Sequence, residues 1–256
     1  MDASASVGLV ALVAGVCGAL CLAVPSLIGW LPEPEPEPEP EPGGEARPAT
    51  GSALPEEGPK ELYADIAARP GLRWASVLAG AGVGALLALA LGRSWSLAVW
   101  VPLVPLLLAL GYIDWRTRLL PTKLMQPAYA VALLGIGVAW LGTHQTGDLL
   151  RAGVGWLIAG FVFVVMWFIN PRGMGYGDVR LSGVLGLALG HLGWGELFVG
   201  LYSSFLVFGL PGLLLALLRW NRALLKTAFP FGPFMMVGAL IGVLWGQPLW
   251  ARLVGA

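Results

Sequence analysis

Charge is the first thing this sequence lacks. Only 12% of its 256 residues are Asp, Glu, Lys or Arg, and fifteen basic side chains balance fifteen acidic ones. Nucleic-acid binding rests on an excess of clustered positive charge, so no nucleic-acid partner is expected. Cysteine is nearly missing as well: Cys17 and Cys21 stand alone, one helical turn apart in the first apolar run. Two thiols fall short of a tetrahedral metal centre, so no metal or cofactor is expected, and both cysteines read as packing residues. The first apolar run, MDASASVGLVALVAGVCGALCLAVPSLIGWL, also lacks any Lys or Arg ahead of it. It exceeds the roughly 7–15 apolar residues of a cleaved secretory signal, so it reads as a retained span.

What the chain has in quantity is apolar side chains, 57% of residues, with 12 Trp. Several runs approach the ~20 residues that cross a bilayer as a helix. The fold class expected is therefore all-α, a polytopic membrane protein in contact with the lipid bilayer. About eight transmembrane helices are expected, near residues 7–28, 74–92, 95–113, 125–142, 152–169, 179–193, 196–218 and 230–250. Three segments follow: residues 1–30 as a first span, 31–73 as a Glu-Pro-rich linker, and 74–256 as the main membrane domain. Gly and Ala recur within the spans, as in LAGAGVGALLALALG at 78–92, which lets helices approach closely.

Orientation follows from the basic residues. With the loop after the first span inside, the inner segments carry Arg47, Lys60, Arg69, Arg73, Arg116, Arg118, Lys123, Arg172, Arg180, Arg219, Arg222 and Lys226. The outer segments carry Arg93, Arg151 and Arg252 alone. That bias places the 31–73 linker in the cytoplasm. The linker opens with five Glu-Pro pairs from Glu33 to Pro42. Proline favours polyproline II and the glutamates repel one another, which would make a semi-rigid spacer of roughly 31 Å. The tract reads as a tolerated low-complexity linker, with a spacer or docking arm as the alternative. Beyond it, PKELYADIAARP reads as a short helix at the membrane surface.

Two acids interrupt this apolar pattern. Asp178 closes the polar stretch GMGYGD at 173–178, and Asp114 ends an earlier apolar run in GYIDWRTRLLP. A carboxylate at the edge of a span is expensive to hold and marks a candidate site. Two spans separate the acids, so they share one side of the membrane whichever way the chain is oriented. Paired carboxylates cannot both ionise cheaply, so one keeps a proton while the other is an anion. One acid of such a pair draws a proton from water while the other donates to a scissile carbonyl oxygen, and the gem-diol then collapses. The pair titrates as a unit, and the sequence does not say which acid is the base. Gly173, Gly175 and Gly177 offer positive-φ backbone or close approach by another chain. Each acid also has a structural reading: Asp178 as the N-cap of the sixth span, and Asp114 as an interfacial acid balanced by Arg116 and Arg118. His144 and His191 fall in short outer loops, away from both acids.

Three stretches resemble a known family. GMGYGDVRL at 173–181 is similar to the G-x-G-D signature of prepilin peptidases, the membrane aspartic proteases of type IV pilus and type II secretion systems. IDWRTRLLPTKLMQP at 113–127 resembles that family's first-aspartate segment, and FPFGPFMMVGALIG at 229–242 its Pro-Phe-Gly-Pro stretch. The resemblance implies that Asp114 and Asp178 are catalytic, with Gly173, Gly175, Gly177, Pro230, Phe231, Gly232 and Pro233 as supporting backbone. It implies an endopeptidase that removes the basic leader of a prepilin or pseudopilin at the cytoplasmic face of the cell membrane. The spans then form a greasy groove for the substrate helix.

The chain departs from the family in one respect that matters. Bifunctional members carry two Cys-x-x-Cys pairs between their first two spans, whereas residues 31–73 here contain no cysteine. A zinc site of that type cannot form in this loop, so N-methyltransferase activity is not expected. Two milder departures are Arg180, where Lys is common, and Thr122, where Asn or Asp is. The alternatives are another G-x-G-D intramembrane protease, of the presenilin or signal-peptide-peptidase kind, and a non-catalytic transporter subunit whose acids move ions.

Overall fold

A computed structural model describes residues 3–33, 61–171, 174–219 and 230–255, the side chains of 3–5 and 210–219 excepted. The Glu-Pro tract beyond Glu33 and the predicted site residue Gly173 lie outside the described residues. Among the described residues, ten helices follow one another: α1 (Ala3–Cys21), α2 (Val24–Gly29), α3 (Tyr63–Ala67), α4 (Leu72–Leu91), α5 (Leu97–Thr117), α6 (Thr122–Thr143), α7 (Thr146–Ile169), α8 (Tyr176–Leu192), α9 (Trp194–Arg219) and α10 (Gly232–Val254). Among the described residues there is no strand, as an all-α fold requires.

Among the described residues, six segments are long and apolar enough to cross a membrane: Ser6–Gly29, which runs through α1 and α2, and then α4, α5, α6, α7 and α10. The chain is therefore a multi-pass membrane protein, with six spans supported by length and composition where about eight were expected. The predicted sixth span falls short of that standard, since α8 has 17 residues. The predicted seventh lies in α9, which is apolar over Trp194–Gly209, the stretch whose side chains are described. The reason for α8 is visible in its surroundings. Every residue from Leu181 to His191 is buried, as are Asp178 and Val179. A helix sheltered on all sides contacts protein instead of lipid, so neither bilayer thickness nor an apolar surface constrains it.

Small residues set the closest helix contacts. On α10, Gly238, Gly242 and Gly246 pack against Ser204, Gly200 and Glu196 of α9, so near that a Cβ on Gly246 would lie 2.4 Å from the Glu196 Cα. Gly155 of α7 faces Gly186 and Gly190 of α8 in the same way. Gly80 and Gly84 of α4 receive Cys21 and Cys17 of α1, both fully buried. The two cysteines are packing residues. In lipid, where apolar surface gives helices no preference for one another, such close van der Waals contact is what holds them together.

Short connections make neighbouring helices antiparallel. α6 and α7 form one out-and-back hairpin between α5 and α8, so the C-terminus of α5 and the N-terminus of α8 emerge at the same end of the bundle. At the opposite end Arg151 donates to the carbonyls of Gly190, His191 and Leu192 at 2.8–3.0 Å and pairs with Asp148. It caps α8 by satisfying carbonyls that the last turn leaves open. His191 is not in a loop, as expected from sequence; it occupies that last turn, buried, with Nε2 3.3 Å from Ser96 Oγ. His144 ends α6 in the left-handed conformation, φ 56°.

A methyl group tests the glycine packing. Gly246→Ala is expected to destabilise the protein by about 1–3 kcal/mol, as overpacking against backbone does. Gly82→Ala, where a Cβ meets nothing within 4 Å, leaves the melting temperature in detergent unchanged or raised; equal melting of both variants would contradict the packing described.

Candidate active site

α5 ends where its sequence forces it to. Pro121 restricts Leu120 to extended backbone, and Arg118 takes the left-handed conformation (φ 54°) that lets its amide close on the Asp114 carbonyl at 2.8 Å. Asp114 therefore sits in the last turn of an apolar helix, 4% exposed. Its carboxylate has a defined partner: the Gly232 amide donates to Oδ2 at 2.9 Å. Gly232 opens α10, and Pro233 after it has no N–H. The α10 N-terminus thus presents its free amide and the positive end of its dipole to Asp114. Gly232 is also the residue the contact needs, since a Cβ there would lie 2.7 Å from Oδ2.

Asp178 is not the N-cap of α8. That position is Gly175, in extended backbone, and Asp178 lies three residues on, in the first turn. Its carboxylate turns back towards the Gly175 amide, the arrangement of the acid in a capping box. It is 7% exposed. The two acids, from α5 and α8, are near enough to repel one another electrostatically. Asp114 is not balanced by Arg116, as its structural reading required. Arg116 instead binds Glu61 at 2.8 Å.

The remaining predicted positions divide. Gly175 and Gly177 do not use positive φ, which among the glycines described occurs only at Gly71, Gly92 and Gly255. Gly177 serves close approach, because a Cβ would lie 2.7 Å from Leu120 Cβ. That neighbour belongs to this chain's own α5–α6 turn. Pro230 and Phe231 are buried. Phe231 packs on Phe163, Phe205 and Phe208 with ring centroids 4.9–5.8 Å apart, which anchors the turn that delivers Gly232 to Asp114. Tyr176 points elsewhere, edge-on to Trp167 and beneath the Arg180 guanidinium. Arg180 also bonds Thr122 Oγ1, so the two positions noted as departures in the sequence touch one another and tie α8 to the start of α6.

Sequence reasoning missed the polar frame around this end. Glu33 accepts from the Tyr63 and Ala64 amides at 2.7 and 2.8 Å, capping α3 from thirty residues away. Glu61 joins Arg69 to Arg116, two positions beyond Asp114. No local pattern marks either contact, because each pairs residues from different segments. The short helix expected in PKELYADIAARP is α3, with Tyr63 and Ile66 buried.

The fold and site together define a class: a multi-pass helical membrane protein with two buried carboxylates at one end of the bundle, near enough to repel one another. Residues 101–217 match the type IV leader peptidase family, a stretch that includes both acids but not the Pro-Phe-Gly-Pro turn. The chain is similar to the prepilin leader peptidase/N-methyltransferase of Pseudomonas putida, 35% identical over 163 residues, 62% of this chain and 54% of that protein. The protein of the same name from Pseudomonas aeruginosa is 33% identical over 161 residues, 62% and 53% of the two chains. That from Burkholderia pseudomallei strain 1026b is 31% identical over 194 residues, 72% and 59%. The chain spans about half the length of these curated relatives, and no solved structure matches it.

Hydrogen bonds from Arg69 and then Arg116 hold the Glu61 carboxyl below its usual range. A lowered folded-state value means that the contact stabilises above the unfolded value and is lost as pH falls through the folded one. Hydrogen-exchange protection of residues 61–71 is expected to fall on acidification in the wild type. In Glu61→Gln it should be low and independent of pH across that range; an unchanged acid profile would remove Glu61 as the clamp.

Proposed function

We propose that the protein is a membrane aspartic endopeptidase that cleaves the leader from type IV prepilin-like or pseudopilin proteins at the cytoplasmic face. Asp114 and Asp178 activate a water between them: one takes its proton while the other protonates the scissile carbonyl oxygen, and collapse of the tetrahedral diol breaks the amide. No covalent enzyme intermediate is needed. What supports this reading is that two buried acids, 64 positions apart in the chain, lie near enough to repel one another, with the Gly232 amide fixed on Asp114 at 2.9 Å. A buried carboxylate pair has little structural use, since burial without pairing to a cation is costly. The cytoplasmic assignment rests on the bias of Lys and Arg towards the end that holds the acids. Gly175, Gly177 and the turn from Pro230 to Pro233 serve as supports that place the acids. Gly173 is assigned with them on the motif alone. The membrane domain from residue 74 onward carries this activity.

Separate Asp114→Asn and Asp178→Asn variants test the pair. Each is expected to lower kcat for leader cleavage by at least about a hundredfold while inserting and melting like the wild type. Normal processing by either variant would overturn the assignment.

We propose further that the chain acts as a peptidase alone. The relatives are named for both activities, yet residues 31–73 hold no cysteine and both cysteines of the sequence sit in α1. Mass spectrometry of the cleaved product, formed with S-adenosylmethionine present, is expected to show an unmodified amino terminus. A mass increase of one methyl group on that terminus would refute this.

A further inference from the structure

α8 carries Asp178, and the start of that helix is pinned to α6 twice through a single residue. The Tyr129 hydroxyl donates to the Arg180 carbonyl at 2.9 Å, and the Arg180 guanidinium bonds Thr122 Oγ1. Thr122 and Tyr129 both belong to α6 and stand seven residues apart, so they share one face of it, two turns from each other. Space for the phenol comes from Gly183 of α8. A Cβ there would overlap the Tyr129 hydroxyl and lie 3.0 Å from Nε1 of Trp156, on α7. Three helices thus converge on one hydroxyl, and it bonds the chain two residues past Asp178. The contact is small, neutral and directional, where the rest of the α7–α8 interface is glycine on backbone.

We infer that Tyr129 is a positioning residue for the acid pair: by holding the Arg180 carbonyl, its hydroxyl sets where Asp178 stands relative to Asp114. This rests on the proposed peptidase reading and adds to it a residue that touches neither water nor substrate. The argument turns on how the two acid-bearing helices are joined. α5 and α8 pack little against one another, whereas α6 packs against both. α6 also follows α5 after only the turn at 118–121, which begins four residues past Asp114. The position of one acid is therefore passed to the other through α6, by way of Thr122, Tyr129 and Arg180. α10 packs against α5 and α8 as well, but its directional bond is the Gly232 amide on Asp114. It fixes that acid, and the α6 bonds fix the segment that carries the other. Two acids that share one water must be held to a fraction of an ångström, so a lost tie that lets α8 shift is felt in the chemistry before it is felt in folding.

The test uses the full chain in proteoliposomes with a precursor made of a leader and one apolar helix. Tyr129→Phe keeps the ring and removes the hydroxyl. Its kcat for leader cleavage is expected to fall about tenfold or more, with KM unchanged. The acids are also read without substrate, by infrared titration of the carboxyl bands that Asp114→Asn and Asp178→Asn remove. In Tyr129→Phe the interval between the pair's two protonation steps is expected to narrow, because acids held less closely are coupled less. Gly84→Ala, which overpacks α4 against Cys17 of α1, is the control for lost stability alone. It is expected to melt earlier with kcat and the interval as in the wild type. A wild-type kcat or a wild-type interval in Tyr129→Phe, or the same losses in Gly84→Ala, would overturn the inference. Inactive acid variants beside a fully active Tyr129→Phe would remove Tyr129 alone, whereas normal cleavage by an acid variant would remove the peptidase reading itself.

Discussion

A carboxylate inside an apolar bundle must find a donor or give up its charge, and Asp114 finds one in the amide that α10 leaves free at its first turn. Much of the chain serves that contact. Gly232 supplies the amide and, lacking a side chain, the space. Pro233 follows with no N–H of its own, and Phe231 pins the turn into a cluster of phenylalanines from α7 and α9. α5 must stop at Thr117 for the acid to lie at the rim, and the left-handed Arg118 with Pro121 beyond it brings that about. Asp178 obeys the same rule by turning back to the first amides of its own helix. Both acids thus face a helix N-terminus, Asp114 that of α10 and Asp178 that of its own helix, where a fixed dipole takes over part of water's role.

The second constraint is how closely helices approach. Glycine-on-backbone contacts between α7 and α8 and between α9 and α10 bury α8 almost completely. This places Asp178 at the centre of one end of the bundle instead of on its lipid-facing rim. It also explains why α8 can be short and moderately polar without penalty. Arg151 completes the arrangement from the other end by capping α8 where its carbonyls emerge. The helix that carries one acid is therefore held at both termini by polar contacts and along its length by packing. The segment that holds α3 is anchored by Glu33 and clamped by Glu61 to Arg116, so it stays beside the proposed site.

Much of this was legible in the chain itself. Long apolar runs fix all-α architecture because lipid tolerates only internally bonded backbone, and helices lie at each of the eight predicted places. Parity put Asp114 and Asp178 on one side, since an even number of crossings returns the chain to where it began. The turn at 230–233 was singled out, and Gly232 proved to be the residue that touches an acid. What stayed hidden were pairings across segments. The role of Gly177 depends on Leu120, and the partner of Arg116 is Glu61 instead of Asp114. Neither sequence spacing nor residue type encodes such contacts.

Composition and periodicity by themselves determined that this is a multi-pass helical membrane protein with two acids at span ends, because hydropathy and chain parity are local or additive properties. Tertiary structure alone decided which amide holds Asp114, that the two acids lie near enough to repel one another, and that a helix as modest as α8 lies at the centre. Those outcomes depend on how closely helices pack, and packing is set by shape complementarity between distant parts of the chain.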